Sequence, residues 1–328
     1  MRKRTKTNRT GFVVIVVLCM VVLLEVLLLG FNYKTRTNLR AVDDFRKSEQ
    51  ALNCARAGLN IAIAAVRDTN DITANKTLRN LFSSGSSFDV GDGKCSVTIA
   101  EENGKLNINL LKDKTGKPDR SRIEQMLCLI DVINRDRTDQ PGIGYGFVPS
   151  IIDWTDNDDE ITYLPFVKHT NLGAESAYYG GLVPPYNCKN APLDISEELM
   201  SVKGVTPQVY ESIRDYITVY GQGEININCA SKSVIESLSE KMDPVLAQLI
   251  VNRRKIKPFE NITQLKDVPG MTDDIYNAIK KAVTVSPAER YYHVTSQANI
   301  DNLSCKIVAI LKRNTEPRNV EVVLYKEL

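Results

Sequence analysis

Residues 10–18 read TGFVVIVVL. An apolar run begins abruptly at the Gly11–Phe12 pair and carries no charge at its fifth position, Val16. The run extends from Phe12 to Phe31, with Glu25 as its only charged side chain. At ~1.5 Å per residue such a helix covers ~30 Å, the thickness of a bilayer's hydrocarbon core. Arg2, Lys3, Arg4, Lys6 and Arg9 precede it without a single acid. A cleaved secretory signal has a shorter apolar core and small residues at its cleavage site. Here NYKTRTNLR follows Phe31, so the run reads as a retained anchor. Basic residues ahead of the span put the N-terminus in the cytoplasm and the rest of the chain across the membrane.

The chain of 328 residues is long enough for two domains. Its net charge of +2 gives no global field for nucleic acid or acidic substrates. From Asn32 to Asp68 there is no proline and one glycine, Gly58. Leu39, Val42, Phe45, Leu52, Ala55, Leu59, Ile63 and Val66 recur at helical spacing. The pattern predicts one helix, membrane-embedded in its first half and amphipathic in its second. An anchor followed by a separate first helix is the alternative.

Beyond Asp68, turn clusters alternate with short β-like runs. Residues 96–100 and 105–109 read as strands around a Glu-Asn-Gly turn at 102–104. Three more strand candidates close the chain at 291–300, 305–314 and 320–328. About 180 residues, mostly helical in pattern, separate the two groups. The expected fold class is α+β: a long N-terminal helix on an antiparallel sheet, with a large helical domain inserted into the sheet region. The expected boundaries are a leader at 1–11, helix halves at 12–31 and 32–68, and a first part of the sheet at 69–112. The insertion then covers 113–287 and the last strands 288–328.

The insertion contains a repeat. ELMSVKGVTPQVYESI (198–213) aligns with QLKDVPGMTDDIYNAI (264–279) at an offset of 66. Leu199, Val202, Gly204, Thr206, Tyr210 and Ile213 match Leu265, Val268, Gly270, Thr272, Tyr276 and Ile279. Each copy reads as a short helix, a glycine turn and a threonine-capped helix, resembling a helix-hairpin-helix unit. Such units bind DNA phosphates where Lys and Arg surround the turn. Lys203 has Glu198 and Glu211 nearby; Lys266, Lys280 and Lys281 are offset by Asp267, Asp273 and Asp274. The basic cluster NRRKIKPF (252–259) is the remaining candidate for a phosphate. Packing between the copies is the preferred reading and nucleic-acid binding the alternative.

IIDWTDNDDE (151–160) places Asp153, Asp156, Asp158, Asp159 and Glu160 within eight residues. Carboxylates at that density repel unless solvated or neutralised by a cation, and Ca²⁺ takes six to eight oxygen ligands. The glycine and closing glutamate of an EF-hand loop are missing at the required spacing. Composition alone leaves a solvated turn and a calcium loop both open. Trp154 reads as an anchor for this loop. With two histidines, His169 and His293, no glycine-rich phosphate loop and no Gly-x-Ser-x-Gly elbow, enzymatic chemistry is not expected. An anchored hydrolase using the acidic cluster is the weaker alternative. No Cys-x-x-Cys pair supports zinc. Of seven cysteines, Cys19 lies in the span, and Cys54 on the apolar helix face is expected to stay reduced and buried. Cys95, Cys128, Cys188, Cys229 and Cys305 are disulfide candidates of open pairing in an oxidising compartment.

A basic leader, Gly11, Phe12 and a long apolar helix together resemble a type IV prepilin or pseudopilin. The resemblance implies cleavage after Gly11 by a prepilin peptidase and methylation of the new N-terminus at Phe12. Members of that family carry glutamate at the fifth mature position, which here is Val16. Glu25, two and a half turns on, does not replace it positionally. DWTDNDDE, GAESAYYGGLVPPYNCKNAPLDISEEL and the repeat narrow the resemblance to the minor pseudopilin K family of type II secretion systems. That family implies a pilin-like fold and a structural Ca²⁺ held by Asp153, Asp156, Asp158 and Glu175, with Asp159 and Glu160 as lesser candidates. It further implies pseudopilins I and J as partners with H beneath, and contact with the inner-membrane secretion platform. The implied location is the inner membrane, single-pass, with the main domain periplasmic. The implied role is to cap and help initiate a periplasmic pseudopilus. The runner-up is a membrane-anchored helix-hairpin-helix DNA-binding protein of a DNA-uptake machine.

Overall fold

The computed structural model describes residues 9–68, 85–91, 93–113, 115–137, 141–167, 171–314 and 319–328. Helix α1 (Arg9–Asp68) is continuous over 60 residues, so anchor and first helix are one element. The first eight leader residues and residues 69–84 lie outside the described set. Phe12 to Phe31 face outward without cover from the other described residues. Leu39, Val42 and Phe45 also stand exposed, whereas the expected amphipathic face is buried only from Ala51 onward. The reason is geometric: no strand among the described residues extends far enough towards the N-terminal end of α1 to cover them.

Strands β1 (Ser86–Val90) and β2 (Gly93–Glu101) form an antiparallel pair at one side of the sheet. The chain returns much later as β7 (Glu289–Ile300), β8 (Leu303–Asn314) and β9 (Val320–Glu327). The five strands lie in the order β1-β2-β7-β8-β9, all neighbours antiparallel. A tight turn at Asp301, whose φ of 49° is left-handed, joins β7 to β8.

Small side chains let the helix come close to the sheet at the middle of their seam. Ala51, Cys54, Ala55, Leu59, Ala62 and Val66 of α1 are buried against Cys95, Val97, Val294, Ala298 and Ala309. Closest approach is at Gly58, where a Cβ would lie 2.3 Å from both Cys95 Sγ and Ser296 Oγ. Ser296 Oγ donates to the Ala55 carbonyl at 2.8 Å, tying strand to helix. At the membrane end of the head, Lys47 Nζ bridges Asp43 and Asp301 at 2.9 and 3.0 Å. This contact fixes the β7–β8 turn near the membrane end. Glu101 and Glu289, where the sheet is interrupted, therefore lie at the opposite end.

There the inserted domain begins, at 102 and not at 113. The expected strand at 105–109 is corrected as well. Only Leu106–Asn107 (β3) is extended, and it pairs in parallel with Ile217–Thr218 (β4), inside the insertion. The junction is polar. Asn103 Nδ2 donates to the Glu289 carbonyl at 2.9 Å while Tyr291 N donates to Asn103 Oδ1 at 2.7 Å. One side-chain amide thus stands in for a strand partner at the end of β7. The rings of Tyr220 and Tyr291 stack beside it at 5.7 Å.

The repeat is larger than the hairpins. After β3 come α2 (Arg120–Asp136), α3 (Phe147–Thr155), α4 (Ser176–Tyr179) and α5 (Pro207–Ile213), then β4. After Ile225–Asn226 (β5) come α6 (Lys232–Glu236), α7 (Pro244–Ile256), α8 (Asp273–Ile279) and Val283–Thr284 (β6), which pairs in parallel with β5. The same asparagine braces each half. Asn109 exchanges hydrogen bonds with the Leu193 main chain and donates to the Val219 carbonyl. Asn228 does the same with Phe259 and the Val285 carbonyl. Leu193 and Val219 sit 66 residues before Phe259 and Val285, the offset of the hairpins. Brace and partner are separated by 84 residues in the first half and 31 in the second, so the first half carries 53 more. Those extra residues contain the acidic segment.

Asn228 is buried and makes three such bonds, so Asn228→Ala leaves main-chain groups of Phe259 and Val285 without partners. A loss of roughly 2–3 kcal/mol is expected. Urea unfolding measures it, and a loss under about 0.5 kcal/mol contradicts the bracing role.

Candidate metal centre

Helix α3 is apolar and wholly buried, and Asp153 is carried inside with it at 0% exposure. Asp153 Oδ1 accepts from Thr162 N at 2.9 Å, while Oδ2 has no hydrogen-bond partner. The helix ends at Asp156, whose Oδ1 is likewise buried and unpartnered. Glu175, the residue before α4, brings two further buried oxygens with no hydrogen-bond partner. One carboxylate oxygen from each of the three residues lies within 4.8 Å of the others. Gly173 makes the convergence possible, because a Cβ there would lie 2.0 Å from Asp153 Oδ2.

Three buried carboxylates at this spacing disfavour their own charge. Desolvation, reinforced by the neighbouring carboxylates, pushes Asp156 up to about 7 and Glu175 up to about 8. Asp153 is also raised by burial, partly offset by its hydrogen bond from Thr162. Lys112 reaches the Thr155 carbonyl, and its ammonium is itself weakened by burial. Trp154 packs edge-on against Tyr179 at 5.0 Å, and Tyr179 against Tyr186 at 5.3 Å, walling the cluster on its apolar side. Four buried unpartnered oxygens from three acids form a donor set for a hard divalent cation.

Asp158, Asp159 and Glu160 are not part of this group. They are exposed on the loop beyond α3, and Asp158 Oδ1 accepts from Glu160 N in a local turn. Gly173 and Lys112 were not singled out in the sequence. The first adjoins Glu175 closely enough to have been noticed; the second reaches the site only through the tertiary fold.

The hairpins form as the repeat predicts. Thr206 and Thr272 cap α5 and α8 by accepting from Val209 N and Ile275 N, and Gly204 and Gly270 have φ of +85° and +90°. Gly204 lies against Phe147, with a Cβ there 3.3–3.4 Å from Phe147 atoms, so the first turn faces the protein interior. The nearby cations are engaged within the chain. Lys203 Nζ donates to the Gly173 carbonyl and Lys266 Nζ to Asp273. In the basic cluster, Arg253 donates to the Lys257 carbonyl and Arg254 to the Ile227 carbonyl.

The disulfide expectation is corrected: no disulfide joins Cys95, Cys128, Cys188, Cys229 or Cys305. Cys95 and Cys305 both face Ala298 from opposite sides of β7. That places them two strand spacings apart, ~9.6 Å, beyond disulfide reach. Cys128 lies in α2, Cys188 donates to the Asp153 carbonyl and Cys229 to the Asn226 carbonyl. Cys54 is buried, as expected, and donates to the Val90 carbonyl at 3.2 Å.

Residues 104–222 match the model of the family "Type II secretion system (T2SS), protein K", and residues 221–284 match "Helix-hairpin-helix motif". The chain is 23% identical over 252 residues to the putative type II secretion system protein K of Escherichia coli (strain K12), covering 75% of this chain and 71% of that protein. It is 26% identical over 145 residues to the type II secretion system protein K of Aeromonas hydrophila, covering 43% and 42%. The fold matches a chain in the crystal structure of the GspK-GspI-GspJ complex from enterotoxigenic Escherichia coli. There the TM-score is 0.66 at 18% identity, covering 88% of this chain and 99% of that one. Over residues 104–222 the chain carries the sequence pattern of the type II secretion protein K family, and its fold is that of a chain in the GspK-GspI-GspJ complex. It is a minor pseudopilin, a structural component of a secretion machine, and its helix-hairpin-helix match falls within the second half of the K-type insertion. The single N-terminal apolar helix is long and apolar enough to serve as a membrane anchor.

The folded cluster holds protons that the unfolded carboxyls, at 3.8 and 4.5, release. Stability of the metal-free protein therefore falls as pH rises from about 4 through about 8. Urea midpoints in chelator across that range check the sign, and Glu175→Gln flattens the fall. A midpoint that rises over the same window contradicts it.

Proposed function

We propose that this K-family pseudopilin caps the periplasmic pseudopilus and helps to initiate it. The observation that carries the reading is the inserted domain, mounted on the head at the end away from the membrane. A subunit stacked above would meet that domain before it met the pilin-like head. Val16 supports the same order. A pilin-like subunit with glutamate there offers a carboxylate to the N-terminal ammonium of the subunit ahead, and this chain has none to offer. In this reading the leader is removed after Gly11, and Phe12 becomes the methylated N-terminus. The basic leader faces the cytoplasm, the inner membrane holds the first half of α1, and head and insertion lie in the periplasm. The partners are pseudopilins I and J, as named in the complex that contains the related fold, with H below them. The platform in the inner membrane supports assembly, and the chain itself has no catalytic role.

The same proposal places a structural Ca²⁺ between Asp153, Asp156 and Glu175. Four buried oxygens without hydrogen-bond partners, and the space that Gly173 leaves beside Asp153, support it. The ion would offset the mutual repulsion of the three carboxylates and so hold the loop after α3 against α4. Asp158 can join through the exposed side of the loop; Asp159 and Glu160 are the more remote candidates.

Light scattering on the purified periplasmic part with those of I and J tests the assembly. A discrete ternary complex is expected, and the absence of any complex, alongside tight duplex binding at physiological salt, would overturn it in favour of the DNA-uptake reading. Saturating calcium is expected to raise the melting temperature by about 5 °C or more over chelator. Asp153→Asn and Glu175→Gln remove that gain. Equal melting with calcium and chelator rules out the metal.

A further inference from the structure

Glu25 is the one side chain with a carboxyl group in the apolar run, and none of the described residues covers it. It lies thirteen residues beyond Phe12, ~20 Å along the helix axis. The end of the run at Phe31 is six residues further, ~9 Å, beyond the reach of a short glutamate side chain. Escape to the interface belongs to the longer Lys and Arg. Its own helix supplies no partner. The nearest cation on the C-terminal side is Lys34, ~13.5 Å away along the axis, and on the N-terminal side Arg9, ~24 Å away. A charged group at such depth is costly unless paired, and such groups mark functional contacts inside membranes.

Glu25 also lies on a different face from Val16. Nine residues at ~100° each return to the opposite side of the helix, so Glu25 meets different neighbours. Around it Leu18, Val21, Val22, Leu28 and Leu29 form an exposed apolar surface suited to a second helix. We propose that this face docks a transmembrane helix of another subunit that carries a Lys or Arg side chain at the depth of Glu25.

Two other occupants fit less well. A second copy of this chain brings a carboxylate to the same depth and repels. The α-ammonium of a processed pilin-like helix would have to rise ~20 Å above Phe12 to meet Glu25. Its own apolar run of similar length would then project far into the periplasm. A side-chain cation on a helix sharing the bilayer meets neither obstacle, and it turns the isolated carboxylate into a charge-assisted contact.

The full chain, labelled and reconstituted in phosphatidylcholine vesicles, tests this by energy transfer to synthetic transmembrane peptides. One peptide is leucine-rich; the other has a single Arg at the matching depth. The Arg peptide is expected to associate about tenfold more tightly than the leucine peptide. Glu25→Gln removes the difference while leaving thermal unfolding of the head unchanged. Equal association of the two peptides, or an Arg preference that survives Glu25→Gln, overturns the proposal. Self-association of the labelled chain that disappears in Glu25→Gln assigns the face to a second copy instead.

Discussion

The structure depends on how closely α1 can approach its sheet. At Gly58 the distance leaves no room for a Cβ, and Ser296 uses it to donate into the helix backbone at Ala55. Ala51, Ala55 and Ala62 keep the rest of the seam thin. A thin seam lets one continuous helix serve two solvents. From Ala51 onward it is buried in a head, with Ala51, Ala55 and Ala62 at the seam, while Phe12 to Phe31 stay exposed and largely apolar. Were the seam built from leucine on both sides, the sheet would stand further off and the Ser296 contact would be lost. The bond and the glycine are therefore one device.

The second constraint is charge. The inserted domain is a duplicated unit with paired asparagine braces, and apolar packing accounts for most of it. The extra residues of the first half depart from that rule by burying three carboxylates together. Burial of the acids follows from their attachment: Asp153 sits on a helix with every residue inside, so it has no route to solvent. The added segment is nonetheless built into the first half, since Phe147, Ile151 and Ile152 lie in its core and Gly204 of the first hairpin rests against Phe147.

Much of this was legible in the chain. Apolar periodicity and the absence of proline gave α1 as one helix, and the hairpin repeat was visible because its glycines, threonines and apolar positions recur in register. The braces were harder to see. LNIN at 106–109 and ININ at 225–228 are short, and their spacing of 119 differs from the hairpin offset of 66. The same extra segment that carries the acids hides the repeat. The boundary was obscured separately: 105–109 alternates like a strand, but its alternation serves the asparagine brace and the short parallel pair. Among the acids, sequence density did not separate the buried from the solvated. Asp153 and Asp156 go inside because a helix of apolar residues carries them, while Asp158, Asp159 and Glu160 follow where that helix has ended. Disulfides were expected from compartment alone, and strand geometry decided against Cys95 with Cys305.

The two membrane positions, Val16 and Glu25, are best understood together. An apolar residue at position 16 lowers the cost of inserting this helix relative to a carboxylate there. Keeping a carboxylate at another depth, on the opposite face, brings such a cost back. A chain selected only for cheap insertion would have neither. The combination makes sense if the helix must refuse one neighbour and accept another within the same bilayer, since an unpaired acid discourages apolar contacts and rewards a cationic one. Specificity is then encoded before the heads meet, by where along α1 a charge is absent and where it is retained.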